Sequence, residues 1–308
     1  MIADVDQQTW LAAAHRAAEY LLRSERASGA ITESVRGSSG VVDVLFRLAD
    51  GADVWHTVNA LLAIQAAGRT SAAAVAFVRD QVRKEGGLPY WSARPGLCIE
   101  TTAAGALALP ELRPTLVPAL RRYALPEGRW ATFILDEPGG FDHYLSAPSV
   151  TAWALAALGG NDPLVDTGRR YLRDTRDARG IWAAHDACYA TPFYPAHLAA
   201  AQVPDRDAVL AFTVESASPS GGWGFGDPPR EDASTLPTAW ALLTLLACDP
   251  TLATAGPAAT RAADWLLAAQ RDDGSFPAAP LPPDIFYTGS VYATSVATVA
   301  LARLVEAA

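Results

Sequence analysis

Apolar positions along the chain follow two helical rhythms that take turns. Six segments are apolar nearly all the way round and share a threonine near their start: DVWHTVNALLAI at Thr57, IETTAAGALAL at Thr102, APSVTAWALAAL at Thr151, CYATPFYPAHLAAA at Thr191, TLPTAWALLTLL at Thr238 and VYATSVATVALARL at Thr294. The threonines stand 45, 49, 40, 47 and 56 residues apart, the length of one helical hairpin with its loops. Each segment follows a more amphipathic stretch with Arg and Asp on one face, over residues 7–23, 72–83, 116–123, 164–175, 206–214 and 258–270. A helix apolar all round is buried, and one with a polar face meets solvent. The pattern therefore predicts an all-α fold, six inner helices ringed by six outer ones, as one domain over residues 1–308. Pro, Gly and Asp fill the connections, as in ARPGL and GDPPRED, where helices must stop. The threonines are expected to act as N-caps for the inner helices.

The turns between outer and inner helices carry a second pattern. Gly180-Ile181-Trp182, Gly221-Gly222-Trp223 and Gly274-Ser275-Phe276 are Gly-x-aromatic turns, and Gly86-Gly87-Leu88-Pro89-Tyr90 is a looser copy. The run RAADWLLAAQRDDGSF, from Arg261 to Phe276, closely resembles the "QW" repeat of squalene-hopene cyclases and class II terpene cyclases. The resemblance covers essentially the whole chain and implies an α6–α6 toroid, a fold that the protein prenyltransferase β-subunits share. It speaks for architecture; activity must be argued from the site.

In such a toroid the starts of the inner helices and the loops feeding them gather at one mouth of a central cavity. Residues just before the shared threonines are rich in acids and aromatics. From them, and from the turns and helix starts beside them, we take Trp55, His56, Tyr90, Trp91, Tyr144, Tyr189, Tyr194, Tyr287 and Tyr292 as substrate-binding candidates, and assign Trp182, Trp223 and Phe276 to packing. The resemblance implies protonation-initiated cyclisation of a prenylated or polyprenyl substrate, which needs a sequestered carboxylic acid and aromatic faces for carbocations. The family's Asp-x-Asp-Asp-Thr-Ala motif is absent. In the nearest register, Cys98-Ile99-Glu100-Thr101-Thr102-Ala103, Glu100 stands where the central acid lies, and Asp53 matches only the first acid. Each has a plainer reading beside the catalytic one: Glu100 offsets a helix dipole, and Asp53 caps a helix.

A zinc-dependent reading is weaker. Asp186-Ala187-Cys188-Tyr189 resembles the Asp-x-Cys-Tyr of prenyltransferase β-subunits, which would make Asp186 and Cys188 metal ligands and call for a partner subunit. The histidine that completes that family's site is missing from Val291-Tyr292-Ala293-Thr294, and His185 and His197 do not obviously replace it. The expectation is no metal and no cofactor. A third reading is a non-catalytic toroid that binds an isoprenoid or a protein.

Composition narrows these choices. Three widely spaced cysteines, Cys98, Cys188 and Cys248, do not make a disulfide framework, and the acidic start MIADVDQQTW is unlike a secretion signal; both point to the cytoplasm. A formal charge of −9 disfavours nucleic acid and anionic membranes. No apolar run approaches the length needed to span a bilayer.

Overall fold

The computed structural model describes residues 4–32, 53–93, 96–134, 147–182, 191–230, 232–278 and 290–308. Twelve α-helices occur among them. The outer set is α1 (Asp4–Arg23), α3 (Ala72–Asp80), α5 (Arg113–Arg122), α7 (Pro163–Asp174), α9 (Asp207–Glu215) and α11 (Gly256–Ala269). The inner set is α2 (Asp53–Ala66), α4 (Ile99–Ala108), α6 (Pro148–Leu158), α8 (Phe193–Gln202), α10 (Thr235–Cys248) and α12 (Ser290–Ala307). Two-residue strands β1 (Leu97–Cys98) and β2 (Phe133–Ile134) pair antiparallel, placing Cys98 opposite Phe133. Among the described residues no helix is long and apolar enough to cross a membrane.

Each inner helix packs on the next, α2 on α4, α4 on α6, and so on to α12, which packs back on α2. That cyclic order is the one an α6–α6 toroid demands. The outer helices α3, α5, α7 and α11 lie chiefly against the inner helix that precedes each, α9 lies against α10, which follows it, and α1 lies across α12 and α2. Gln270, after α11, ties the seam: its Nε2 donates to the Ala13 carbonyl at 2.9 Å, and its Oε1 accepts from Arg16 at 2.6 Å.

The six repeats share one turn. In each, a residue's N–H bonds the carbonyl four places on and its carbonyl accepts from the glycine three places on, at Arg26/Gly29, Arg83/Gly86, Leu125/Gly128, Asp177/Gly180, Ser218/Gly221 and Arg271/Gly274. All six glycines have positive φ. At Gly274, with φ +88°, a Cβ would also lie 2.3 Å from the Arg16 carbonyl oxygen, so only glycine fits. Gly29 and Gly128 complete a set of which the sequence pattern showed the other four.

The shared threonine is not an N-cap. Thr57, Thr102, Thr238 and Thr294 lie inside their helices, and each Oγ1 accepts the N–H of the residue two after the turn glycine: Ile31 (3.0 Å), Leu88 (2.9 Å), Trp223 (3.0 Å) and Phe276 (2.9 Å). Thr57 and Thr102 also donate to the carbonyl four residues back. In these four repeats the threonine therefore satisfies a buried turn N–H and pins the turn to the inner helix, whereas the Thr151 hydroxyl has no partner among the described residues. Thr191 precedes α8, because Pro192 defers the helix start to Phe193, and bonds the Phe193 N–H instead. Aromatic side chains at these turns reach the other way. The indoles of Trp130, Trp182 and Trp223 donate to carbonyls at the ends of α5, α7 and α9.

Candidate functional site

The inner helices bring their large aromatic side chains together. Trp55 of α2 meets Trp153 of α6 edge-on with centroids 5.8 Å apart, and Tyr292 of α12 at 5.8 Å. Trp153 meets His197 of α8 at 6.1 Å, His197 lies over Trp240 of α10 at 6.3 Å, and Trp240 meets Tyr292 at 6.4 Å. The five rings form a closed circuit. Tyr194 lies against both His197 (5.7 Å) and Trp240 (5.0 Å), and His56 stacks on Tyr292 at 6.0 Å. A second group extends from Trp55 through Tyr90 to Trp91 and Phe133 of β2, the last two stacked with ring planes 14° apart.

Helix α4 supplies no ring to this circuit. It supplies Glu100, the second residue of its first turn, which is buried. The Tyr194 hydroxyl donates to Glu100 Oε1 at 2.6 Å. The start of α4 is fixed from three sides: Cys98 N–H bonds Leu88 O, Ile99 N–H bonds Thr132 O, and Cys98 Sγ accepts from Thr101 N–H. Burial, helped by the charge of Glu100, pushes the Cys98 thiol up to about 12, so it serves as an inert apolar cap.

Asp53, the first residue of α2, is also buried, but its oxygens are engaged. Oδ1 accepts from the N–H groups of Val54 (3.0 Å) and Ser92 (2.8 Å), and Oδ2 accepts from the Ser92 hydroxyl. Together with the Trp55 N–H to Tyr90 carbonyl contact, these bonds hold the Tyr90–Trp91–Ser92 segment against the start of α2. The two histidines of the cluster are neutral, since burial draws both down to about 4. His56 Nδ1 faces the Thr32 hydroxyl at 3.2 Å.

Of the sequence candidates, Trp55, His56, Tyr90, Trp91, Tyr194, Tyr292 and Glu100 are joined in one cluster. Tyr144, Tyr189 and Tyr287 lie outside the described residues, as do Asp186 and Cys188. Among the described residues no group of three or more His, Cys, Asp or Glu side chains could hold a metal ion. Trp153, Trp240 and Phe133 are additions to the sequence candidates, and His197 enters the sequence reading only as a metal ligand. Trp153 and Trp240 were readable: each stands four residues, one helical turn, beyond the position two before its repeat's threonine, on the face that carries Trp55, Glu100 and Tyr292.

No known family matches the sequence, and no curated protein does. Solved structures do. The type II terpene cyclase MstE from Scytonema, in complex with its product merosterolic acid A, superposes with TM-score 0.78 over 100% of both chains at 18% identity. The fold is that of a type II terpene cyclase. In complex with its substrate, geranylgeranyl dihydroxybenzoate, MstE gives TM-score 0.76 over 99% of this chain and 100% of that one, again at 18% identity. The ent-copalyl diphosphate synthase from Streptomyces platensis gives 0.59 at 20% identity, covering 83% of this chain and 50% of its own.

Proposed function

We propose that this chain is a type II terpene cyclase that closes rings in a prenylated or polyprenyl substrate after protonating it with Glu100. The observation that carries this reading is the Glu100–Tyr194 bond at the edge of a closed aromatic circuit. Burial disfavours ionisation of a carboxyl group, while a phenol donor and a helix N-terminus stabilise the anion left once the proton is gone. Once the proton has left, the carboxylate accepts the Tyr194 hydrogen bond in the first turn of α4.

In the first step an O–H bond of Glu100 breaks and a C–H bond forms at one end of a substrate alkene, leaving a carbocation at the other. The next alkene attacks that cation, and each ring closure moves the charge along the chain. The faces of Trp55, Trp153, Trp240, Tyr194 and Tyr292 stabilise this charge through their quadrupoles and exclude water that would quench it early. Asp53 acts by position, holding Tyr90 and Trp91. The reaction as written moves protons and π electrons only and consumes no cofactor.

MstE shares the fold over the full length of this chain and is solved with a geranylgeranylated dihydroxybenzoate. The test is therefore incubation with geranylgeranyl dihydroxybenzoate and with farnesyl and geranylgeranyl diphosphates. Products are followed by mass spectrometry and by loss of alkene proton signals. Cyclised product from any member of the panel is the expected result, and every substrate recovered with its double bonds intact rejects the reading.

A further inference from the structure

The inner face of the ring repeats in layers. Trp55, Glu100 and Tyr292 stand two residues before the shared threonine of their helices, and Asn59, Ala104, Trp153, Trp240 and Val296 stand two residues after it. Five after it come Leu62, Leu107, Ala156, Leu243 and Val299, all partly exposed, so the inner face is open at that end. Steps of four and three residues keep the layers on one helix face. Asn59 is the one amide of the middle layer. Its Nδ2 donates to the Trp55 carbonyl at 2.8 Å. A carbonyl only accepts, so the amide is oriented with Oδ1 turned away, and Oδ1 has no hydrogen-bond partner among the described residues. The fold does not need this group. Ala104 and Val296 fill the same position on α4 and α12, and the Trp55 carbonyl already has its helical partner in the Asn59 N–H. Asn59 keeps 6% of its surface exposed while Val58, Ala60 and Leu61, on the other faces of α2, keep none. What remains open therefore lies on the inner face. A buried acceptor that the chain leaves unanswered is one that a ligand completes.

We propose that Asn59 Oδ1 accepts a hydrogen bond from a hydroxyl group of the substrate, which makes Asn59 a specificity-determining residue and the substrate a prenylated alcohol or phenol; this rests on the cyclase reading above. An ether, a ketone or a fully ionised diphosphate has no hydrogen to donate, so none of them answers Oδ1. The middle layer lies four residues, about 6 Å, along the helices from the layer of Glu100. The hydroxyl is thus held away from the alkene that Glu100 protonates, and Asn59 touches the substrate without giving or taking a proton. A bond made equally in the ground state and the transition state acts on KM and on the choice between substrates. That choice is sharp because a substrate without the hydroxyl leaves Oδ1 buried and unpaired.

The experiment gives the full chain farnesol, geranylgeraniol and geranylgeranyl dihydroxybenzoate, each beside its O-methyl ether, together with farnesyl and geranylgeranyl diphosphates. At least one hydroxyl-bearing substrate should be cyclised with kcat/KM about tenfold or more above its ether, the scale of one hydrogen bond to a buried acceptor. Preference within the alcohol pairs or within the phenol pair tells which source of hydroxyl the site takes. In Asn59→Leu, of similar size with no acceptor, the ratio should fall to about one through a higher KM for the hydroxyl substrate, with kcat little changed. Asn59→Ala, the residue that α4 carries at this position, repeats the test if the leucine variant does not fold. Equal use of hydroxyl and ether by wild type, a preference that survives the substitution, or cyclised product from the diphosphates alone overturns the assignment and leaves the cyclase reading standing. No cyclised product from any substrate overturns both.

Discussion

Tyr194 of α8 donates its phenolic hydrogen to Oε1 of Glu100 in the first turn of α4, at 2.6 Å and across 94 residues of chain. The bond joins the acid from the one inner helix that gives the aromatic circuit no ring to a phenol that is itself packed on Trp240. In the proposed mechanism this donor stabilises the carboxylate formed when Glu100 gives up its proton.

Tyr194→Phe keeps the ring on Trp240 and removes the donor. Turnover should fall by on the order of 10²-fold, the usual cost of removing one donor that stabilises charge formed in the reaction. KM should change little. Steady-state kinetics separate the two effects, and an unchanged turnover number would show that the hydroxyl has no part in the chemistry.

Asp53→Ala releases the Ser92 N–H and hydroxyl that hold the Tyr90–Trp91 segment. The variant should raise KM more than it lowers kcat, because the segment positions substrate and Asp53 transfers no proton. Loss of turnover with KM unchanged would instead make Asp53 an acid in its own right.

Thr238→Val leaves the Trp223 N–H buried without its 3.0 Å acceptor. The expected destabilisation is about 1–3 kcal/mol, and Thr238→Ser, which keeps the oxygen, should recover most of it. Urea unfolding of both variants checks this; equal midpoints for the valine variant and wild type would mean the clasp contributes nothing.

Stability should also depend on pH through His56 and His197, held at about 4 against an ordinary value of 6.5. Between those values the unfolded chain binds protons that the folded chain does not. The histidine contribution is therefore fully present above 6.5 and is lost as pH falls toward 4, by about 1.4 kcal/mol per pH unit for each uncompensated proton. His56→Gln should make this slope shallower. Unfolding free energies measured from about pH 7 down to about pH 4.5 span that window, and a flat profile in the wild type would contradict buried neutral imidazoles.

Most of the architecture was legible because it repeats. The outer helices fall within a few residues of the stretches read from periodicity, as at 7–23 against Asp4–Arg23 and 258–270 against Gly256–Ala269. The turn at Gly29 is hidden in the sequence because Ile31 stands where four of the repeats carry an aromatic, although Gly128-Arg129-Trp130 has the full signature. The threonine's role differs from the N-cap expectation because its partner is a turn N–H 14 to 26 residues earlier, while an N-cap is a local feature. Glu100 was legible by register. Its bond to Tyr194 was not, since only the closing of the ring brings α4 and α8 side chains together and no local spacing encodes that approach. Trp153 and Trp240 escape a reading that inspects one offset from the threonine and not the next helical turn.

The most direct measurement compares Glu100→Gln with wild type for cyclised product from the prenylated panel, with thermal unfolding followed in parallel. Glutamine keeps the size of the side chain and an oxygen for Tyr194 but has no acidic proton. The expected result is cyclised product from wild type, a loss of at least about 10³-fold in the variant, and a thermal midpoint nearly unchanged. A Glu100→Gln variant that cyclises at the wild-type rate would contradict the account.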